Sequence, residues 1–281
     1  MRRASLWRRD RHEASRVPLP RDFTGIFPYI MKGRNESIAY YPVVVDVENL
    51  LAYIDSKKGT PAEISFFEAV VLALVKILRA RPTLNRYIIG RRLYQRRDVV
   101  LSFVARRALA DDSTETNVLV TVPPGDDAET VVSKLRGRIT EAKRGDDKTD
   151  DRLVSLFLRL PRSLLRLAVK LLETWDFYVD TPRFLRGVDP LRCSAYIANL
   201  GSVGLGATYH HLFEWGTCSM FVCIGRIEPR VTVGPDGQPT VRRMVELRVS
   251  LDERIADGYY DARSLELWQT YLSSPELLEA L

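Results

Sequence analysis

The segment from Phe66 to Leu78 constrains this chain most. Phe66, Val70, Leu74 and Leu78 lie along one helical face, and the positions between them are apolar as well. A helix apolar on nearly every side has no face for water and must be covered all round. Ser65 is positioned to cap it, and Pro82 ends it. The fold is therefore expected to wrap other elements around a central buried helix.

Around it the pattern is mixed. Val43 to Val47 is β-rich, and Glu48 to Lys57 reads as a helix that stops at Gly59. Val99 to Ala105 and Asn117 to Val122 are β-branched runs bounded by polar turns. Asp126 to Arg144 is a surface helix, with acids early and bases late. Ser194 to Asn199, Ser219 to Gly225 and Arg230 to Val233 read as strands, and a Gly-Pro-Asp-Gly turn leads into an alternating strand from Val241 to Leu251. Asp257 to Leu272 forms a closing helix. The expected class is α+β, a mixed, largely antiparallel sheet flanked by helices.

The 281 residues are 46% hydrophobic and 28% charged, an ordinary globular composition with ample core. No internal repeat or low-complexity linker divides them. The organisation expected is a flexible basic arm over residues 1–22 and one domain over 23–281. Arg2, Arg3, Arg8, Arg9, Arg11, Arg16 and Arg21 supply much of the net charge of +6. Basic arms can bind nucleic acid, but no nucleic-acid-binding motif follows, so a solvated or oligomer-embracing arm is the reading. A basic surface also suits an anionic ligand. No run of eighteen apolar residues is present, so no membrane span is expected. The arginine-rich start lacks a signal sequence, which points to the cytoplasm. Cys193, Cys218 and Cys223 give neither disulfide framework nor metal spacing, so they are read as small buried residues and no metal is expected.

Leu153 to Trp175 interleaves leucines with Arg152, Arg159, Arg162, Arg166 and Lys170, and Pro161 should split it. Its leucine face can pack on the core or on another subunit, or lie on a membrane surface.

Four stretches occur in a telling order. Arg81-Pro82-Thr83-Leu84-Asn85 follows the buried helix. Ile197-Ala198-Asn199-Leu200-Gly201 ends a strand. Cys223-Ile224-Gly225-Arg226 leads into the final hairpin, and Asp252-Glu253-Arg254-Ile255-Ala256-Asp257-Gly258 closes it. Together they resemble the catalytic domain shared by chloramphenicol acetyltransferase and the acyltransferase subunit of 2-oxoacid dehydrogenases, from about residue 26 to the end. The segment Ile30 to Ser37 resembles that family's opening helix. The resemblance implies a homotrimer with active sites between subunits, and a coenzyme A or carrier-protein thioester as donor with no covalently bound cofactor. No lipoyl domain or Ala/Pro-rich linker is seen, so a free-standing member is expected.

The match fails at its centre. The family's catalytic histidine, which takes a proton from the acceptor, corresponds to Glu253, and its strand-end serine corresponds to Ala198. A glutamate near 4.3 is a poor base unless burial raises it. Glu253 then has four roles open to it: a retuned base, a binder of a cationic group, an inert residue of a scaffold, or one half of an ion pair with a nearby arginine such as Arg254 or an arginine of the next subunit. His210 and His211 are the only replacement bases, unless packed structurally against Trp215 or Tyr209. Ser202 is a substitute hydroxyl donor. Asn199 and Asn85 read as turn residues. The resemblance gives Asp257 a structural role through an arginine, with Arg34 as partner, and Gly258 is read as allowing a tight strand-to-helix turn. Three functions follow: thioester acyl transfer, a non-catalytic trimeric scaffold, or a channel reused for another reaction such as a cyclisation.

Overall fold

The structure is a computed structural model that describes residues 10–106, 115–144, 158–182 and 185–281. Its elements in chain order are β1 (Ala14–Val17), a one-turn α1 (Phe27–Ile30), β2 (Ile38–Asp46), α2 (Glu48–Lys57), α3 (Phe66–Ala80), β3 (Arg86–Ile89), β4 (Arg92–Arg96), β5 (Val99–Arg106) and β6 (Glu115–Val122). Then come α4 (Ala128–Arg144), α5 (Arg162–Tyr178), β7 (Ala195–Asn199), β8 (Met220–Val233), β9 (Pro239–Asp252) and α6 (Gly258–Ser273).

α3 is the central helix that its composition demanded, buried from Glu68 to Val75 and again at Ile77 and Leu78. Ser65 and Glu68 form a reciprocal capping box, and Arg136 of α4 clamps the buried Glu68 carboxylate at 2.6 Å. The main sheet runs β2-β9-β8-β7-β5-β6. It is antiparallel except at β7, which lies parallel to both β5 and β8. One face of the sheet packs with α3, α4 and α6 in a single apolar cluster that includes Leu74, Val222, Leu247 and Trp268. A smaller cluster of Cys193, Tyr196, Leu212, Cys218, Phe221 and Cys223 fills the other face. All three cysteines are free and buried.

The Gly201 and Gly225 motifs have a steric cause. A Cβ on Gly201 would stand 2.4 Å from the Gly225 carbonyl oxygen. Only a bare backbone lets the end of β7 pass that close to β8. β8 is one strand rather than the two expected, because a register irregularity between Ile224 and Ile227 carries pairing with β9 past Gly225 and Arg226.

Two expectations are corrected. Residues 10–22 are not a flexible arm: β1 pairs with β4 in a second sheet, ordered β1-β4-β3, which the sequence pattern missed. Arg11 is buried and donates to Asp176 of α5 at 2.9 Å. The part of the arm over residues 1–9 lies outside the described residues. Ile30 to Ser37 is not a helix; it carries only the 3-10 turn Asn35–Ser37. In the leucine-rich segment, Pro161 caps α5, and residues 153–157 lie outside the described residues. Among the described residues, no helix is long and apolar enough to cross a membrane.

Candidate functional site

β9 ends at Asp252, whose carboxylate is completely buried. It accepts from Arg254 Nε at 2.8 Å, Nη2 at 2.7 Å and the Arg254 backbone N–H at 3.1 Å. A second Arg254 nitrogen donates to the Met31 carbonyl at 3.0 Å. This pair fixes the turn that follows: Ile255 N–H donates to the Asp252 carbonyl, and Glu253 N–H donates to the carbonyl of buried Ser37 at 2.9 Å. The Glu253 side chain is half-buried. No hydrogen bond or ion pair of its carboxylate is found among the described residues, and Arg254 is engaged with Asp252 instead.

The charge of Glu253 acts on two residues that sequence reasoning missed. Tyr41 of β2 donates its hydroxyl to Asp261 Oδ2 of α6 at 3.2 Å. Asp261 is 1% exposed, and its other oxygen, Oδ1, is buried without a hydrogen-bond partner. Burial pushes the Asp261 carboxyl up to about 7; the charges of Asp257 and Glu253 add to this against the Tyr41 hydrogen bond. Burial and the same carboxylates push Tyr41 up to about 12. A signal for Asp261 existed: carried back one turn, the stripe of Leu265, Trp268 and Leu272 reaches Asp261 on the buried face of α6. Tyr41 gives no such signal, because it alternates as an ordinary strand residue.

The structural assignments at the turn also change. Asp257 caps α6, accepting from Tyr260 N–H at 2.8 Å. Arg34 is not its partner. That buried guanidinium donates to the carbonyls of Phe213, Glu214, Ile88 and Gly216, the shortest at 2.6 Å. Carbonyls thus take both terminal nitrogens of the cation, while its Nε has no hydrogen-bond partner among the described residues. Arg34 thereby ties the segment after His211 to the chain entering β2. Gly258 has no left-handed backbone, and a Cβ there would meet only the Tyr41 hydroxyl, at 3.9 Å. The extended conformation of Asp257 makes the turn instead.

The histidine pair lies on the other face of the sheet from Tyr41. His210 stacks on Phe221 at 3.9 Å between ring centres, and burial pushes it below its ordinary value. Its Nδ1 contacts the His211 carbonyl at 2.7 Å. The loop is pinned to β9 where Ser250 Oγ donates to the His210 carbonyl and Arg248 donates to the Tyr209 hydroxyl at 2.9 Å. His211 is exposed. Ser202 donates its hydroxyl to the Asn199 carbonyl at 2.7 Å, and Asn199 Oδ1 caps the same 3-10 turn. The Ser202 proton is thus engaged locally. Asn85 is buried and donates to the Asp98 carbonyl.

Two clefts open elsewhere. One of about 310 Å³ is lined by Lys32, Arg34, Arg91 and Arg254 among others. A larger one of about 750 Å³ lies by Arg11, Arg16 and Tyr94. Neither is lined by Glu253, Tyr41 or the histidines. Among the described residues, His12, Glu13 and Asp180 form the one group able to hold a metal ion. Glu13 Oε1 already accepts from Tyr87, and Asp180 from Arg186 and the Thr181 backbone, while Glu13 Oε2 lies 2.6 Å from His12 Nδ1.

Residues 192–280 match the family model described as 2-oxoacid dehydrogenases acyltransferase (catalytic domain). No curated protein matches the chain. Among solved structures, a probable dihydrolipoamide acetyltransferase from Listeria monocytogenes 4b F2365 is similar, with TM-score 0.59 and 16% identity over 91% of this chain and 94% of that one. The Azotobacter vinelandii dihydrolipoamide acetyltransferase gives TM-score 0.59 and 13% identity over 86% of this chain and 83% of that one. A chloramphenicol acetyltransferase gives TM-score 0.52 and 11% identity over 92% and 99%. Residues 192–280 thus match the model of the acyltransferase catalytic-domain family, and the chain as a whole has the fold seen in the dihydrolipoamide acetyltransferase and chloramphenicol acetyltransferase structures.

Proposed function

We propose that this protein transfers an acyl group from a coenzyme A or carrier-protein thioester to an acceptor, at a site built around Glu253. One observation carries the reading: Glu253 stands on a turn held by Asp252, Arg254 and Ser37, with its own carboxylate left unengaged. In the Azotobacter vinelandii protein, the histidine and asparagine studied for their role in catalysis stand four residues apart. Glu253 and Asp257 have the same spacing.

The proton chemistry follows from what surrounds that turn. An acceptor N–H, O–H or S–H loses its proton as it attacks the thioester carbon, and the departing thiolate then needs one. Tyr41 has already directed its hydroxyl proton to Asp261, so its oxygen lone pairs are free to accept another. Asp261, near 7, is a matched terminal acceptor. This path favours Glu253, Tyr41 and Asp261 over His210, which is stacked on Phe221. Glu253 is acidic, so an amine is the acceptor best drawn to it; the amine attacks in its neutral form and gives up its N–H proton as the new bond forms.

Neither of the two described clefts is lined by Glu253, and a neighbouring copy in a homotrimer would complete the site. A cytoplasmic protein with free cysteines is part of the same reading. The test is thiol release from acyl-coenzyme A in the presence of amine, hydroxyl and thiol acceptors. Glu253→Gln is expected to lower turnover by about 10²–10⁴-fold, with His211→Ala much closer to wild type. If coenzyme A thioesters neither bind nor turn over, the reading fails and a scaffold role takes its place.

A further inference from the structure

α5 presents an apolar stripe that the described residues do not cover. Leu164, Leu167, Leu171, Trp175 and Tyr178 recur every three or four residues, so they share one face. All five are exposed; Leu171 is 60% and Tyr178 65% accessible. Asp176 is the only buried residue of the helix. It holds the last turn to the body by accepting from Arg11 at 2.9 Å and Arg192 at 2.6 Å. The three turns before it project with little cover.

Charge identifies what would cover them. Arg162, Arg166 and Lys170, all exposed, line the flank beside the stripe at four-residue spacing. Residues 158–172 contain no Asp or Glu. A second copy of this helix would bring the same three cations against these, which opposes self-pairing. An anionic bilayer surface meets both requirements. It takes the leucines to the level of the acyl chains, and the long basic side chains reach lipid phosphates. Trp175 and Tyr178, at the C-terminal end, are residue types that favour the headgroup level.

We propose that α5 is an in-plane docking helix that seats this protein on an anionic lipid surface. The leucine-rich segment allowed this reading alongside packing on a core or a subunit. The exposure of the stripe and the basic flank now select it.

The test is co-sedimentation of the full chain with vesicles of phosphatidylcholine, with and without phosphatidylglycerol, alongside its oligomeric state by light scattering. Binding is expected only to vesicles containing phosphatidylglycerol and should weaken with salt. Leu167→Glu with Leu171→Glu should lower it by at least about tenfold. Gln at Arg162, Arg166 and Lys170 should weaken binding and flatten the salt dependence. These are surface positions, and circular dichroism checks that the variants fold. Failure of the wild type to bind anionic vesicles at low salt overturns the proposal. So does binding that both sets of variants leave intact. A leucine variant that dissociates the oligomer without changing vesicle binding would make the stripe a subunit interface instead.

Discussion

The Tyr41 hydroxyl donates to a carboxylate, that of Asp261, which has almost no contact with solvent and a second oxygen with no partner. β2 and α6 are thus joined by a polar pair inside an apolar layer. Burial and the neighbouring carboxylates make this pair sensitive to pH.

The stability consequence has a definite sign. In the unfolded chain Asp261 loses its proton near its ordinary value of 3.8, whereas in the folded protein it holds it to about 7. Between those values the folded state binds the extra proton, so stability falls as pH rises, and the loss is complete above 7. Asp261→Asn keeps an acceptor for Tyr41 and removes the charge. It should raise stability by roughly 1–3 kcal/mol at pH 8 and by less at pH 5. Urea unfolding at the two pH values checks this.

Activity should respond at the same pair. Tyr41→Phe removes the hydroxyl and leaves the ring in place. Turnover is expected to fall by about 10–10²-fold, and the rise of kcat/KM through pH 7 to disappear. A pH–rate profile of wild type, Tyr41→Phe and Asp261→Asn separates this from simple loss of stability, because a structural effect lowers the profile without reshaping it.

Much of this architecture could be read in the residues before any coordinates. α3, its Ser65 cap and the closing hairpin follow from apolar periodicity and turn chemistry. The turn around Glu253 was legible from its motif. The second sheet was not, because β4 reads as arginine-rich and β1 is only four residues long. Arg11 and Arg96 look like surface cations, yet they are buried among carboxylate, carbonyl and aromatic partners. Local pattern cannot reveal a partner as far away as Asp176. Arg34 escaped for the same reason, since its terminal nitrogens bond carbonyls distant in the sequence rather than an acid.

Asp176 accepts from both Arg11 and Arg192, and all three are buried. Asp176→Ala would leave buried Arg11 without its counter-charge and Arg192 with Asp189 as its remaining carboxylate partner. Its cost should be about 3–5 kcal/mol, read as a lower unfolding midpoint in denaturant.

The cap of α3 should show a smaller effect. Ser65→Ala removes the acceptor for Glu68 N–H and should cost about 1 kcal/mol. Thermal unfolding resolves a change of that size.

Gly201→Ala should be more damaging than a Gly-to-Ala change usually is. Its Cβ would meet a carbonyl of β8, which no side-chain rotation can move away. A loss of about 1–3 kcal/mol is expected from overpacking, together with a shifted β7–β8 register visible in amide chemical shifts.

β2 pairs with β9 along its whole length, from Ile38 against Asp252 to Asp46 against Met244. The first strand of the main sheet therefore waits for the last strand to be synthesised. The Glu253 backbone N–H donates to the Ser37 carbonyl at the same seam. While the chain is still growing, β2 is an edge with no neighbour, and the site does not exist. Such distant pairing is slow to form and leaves an unpaired strand open to wrong partners meanwhile. A ribosome-bound nascent chain ending before β9 is therefore inactive and exposed to aggregation.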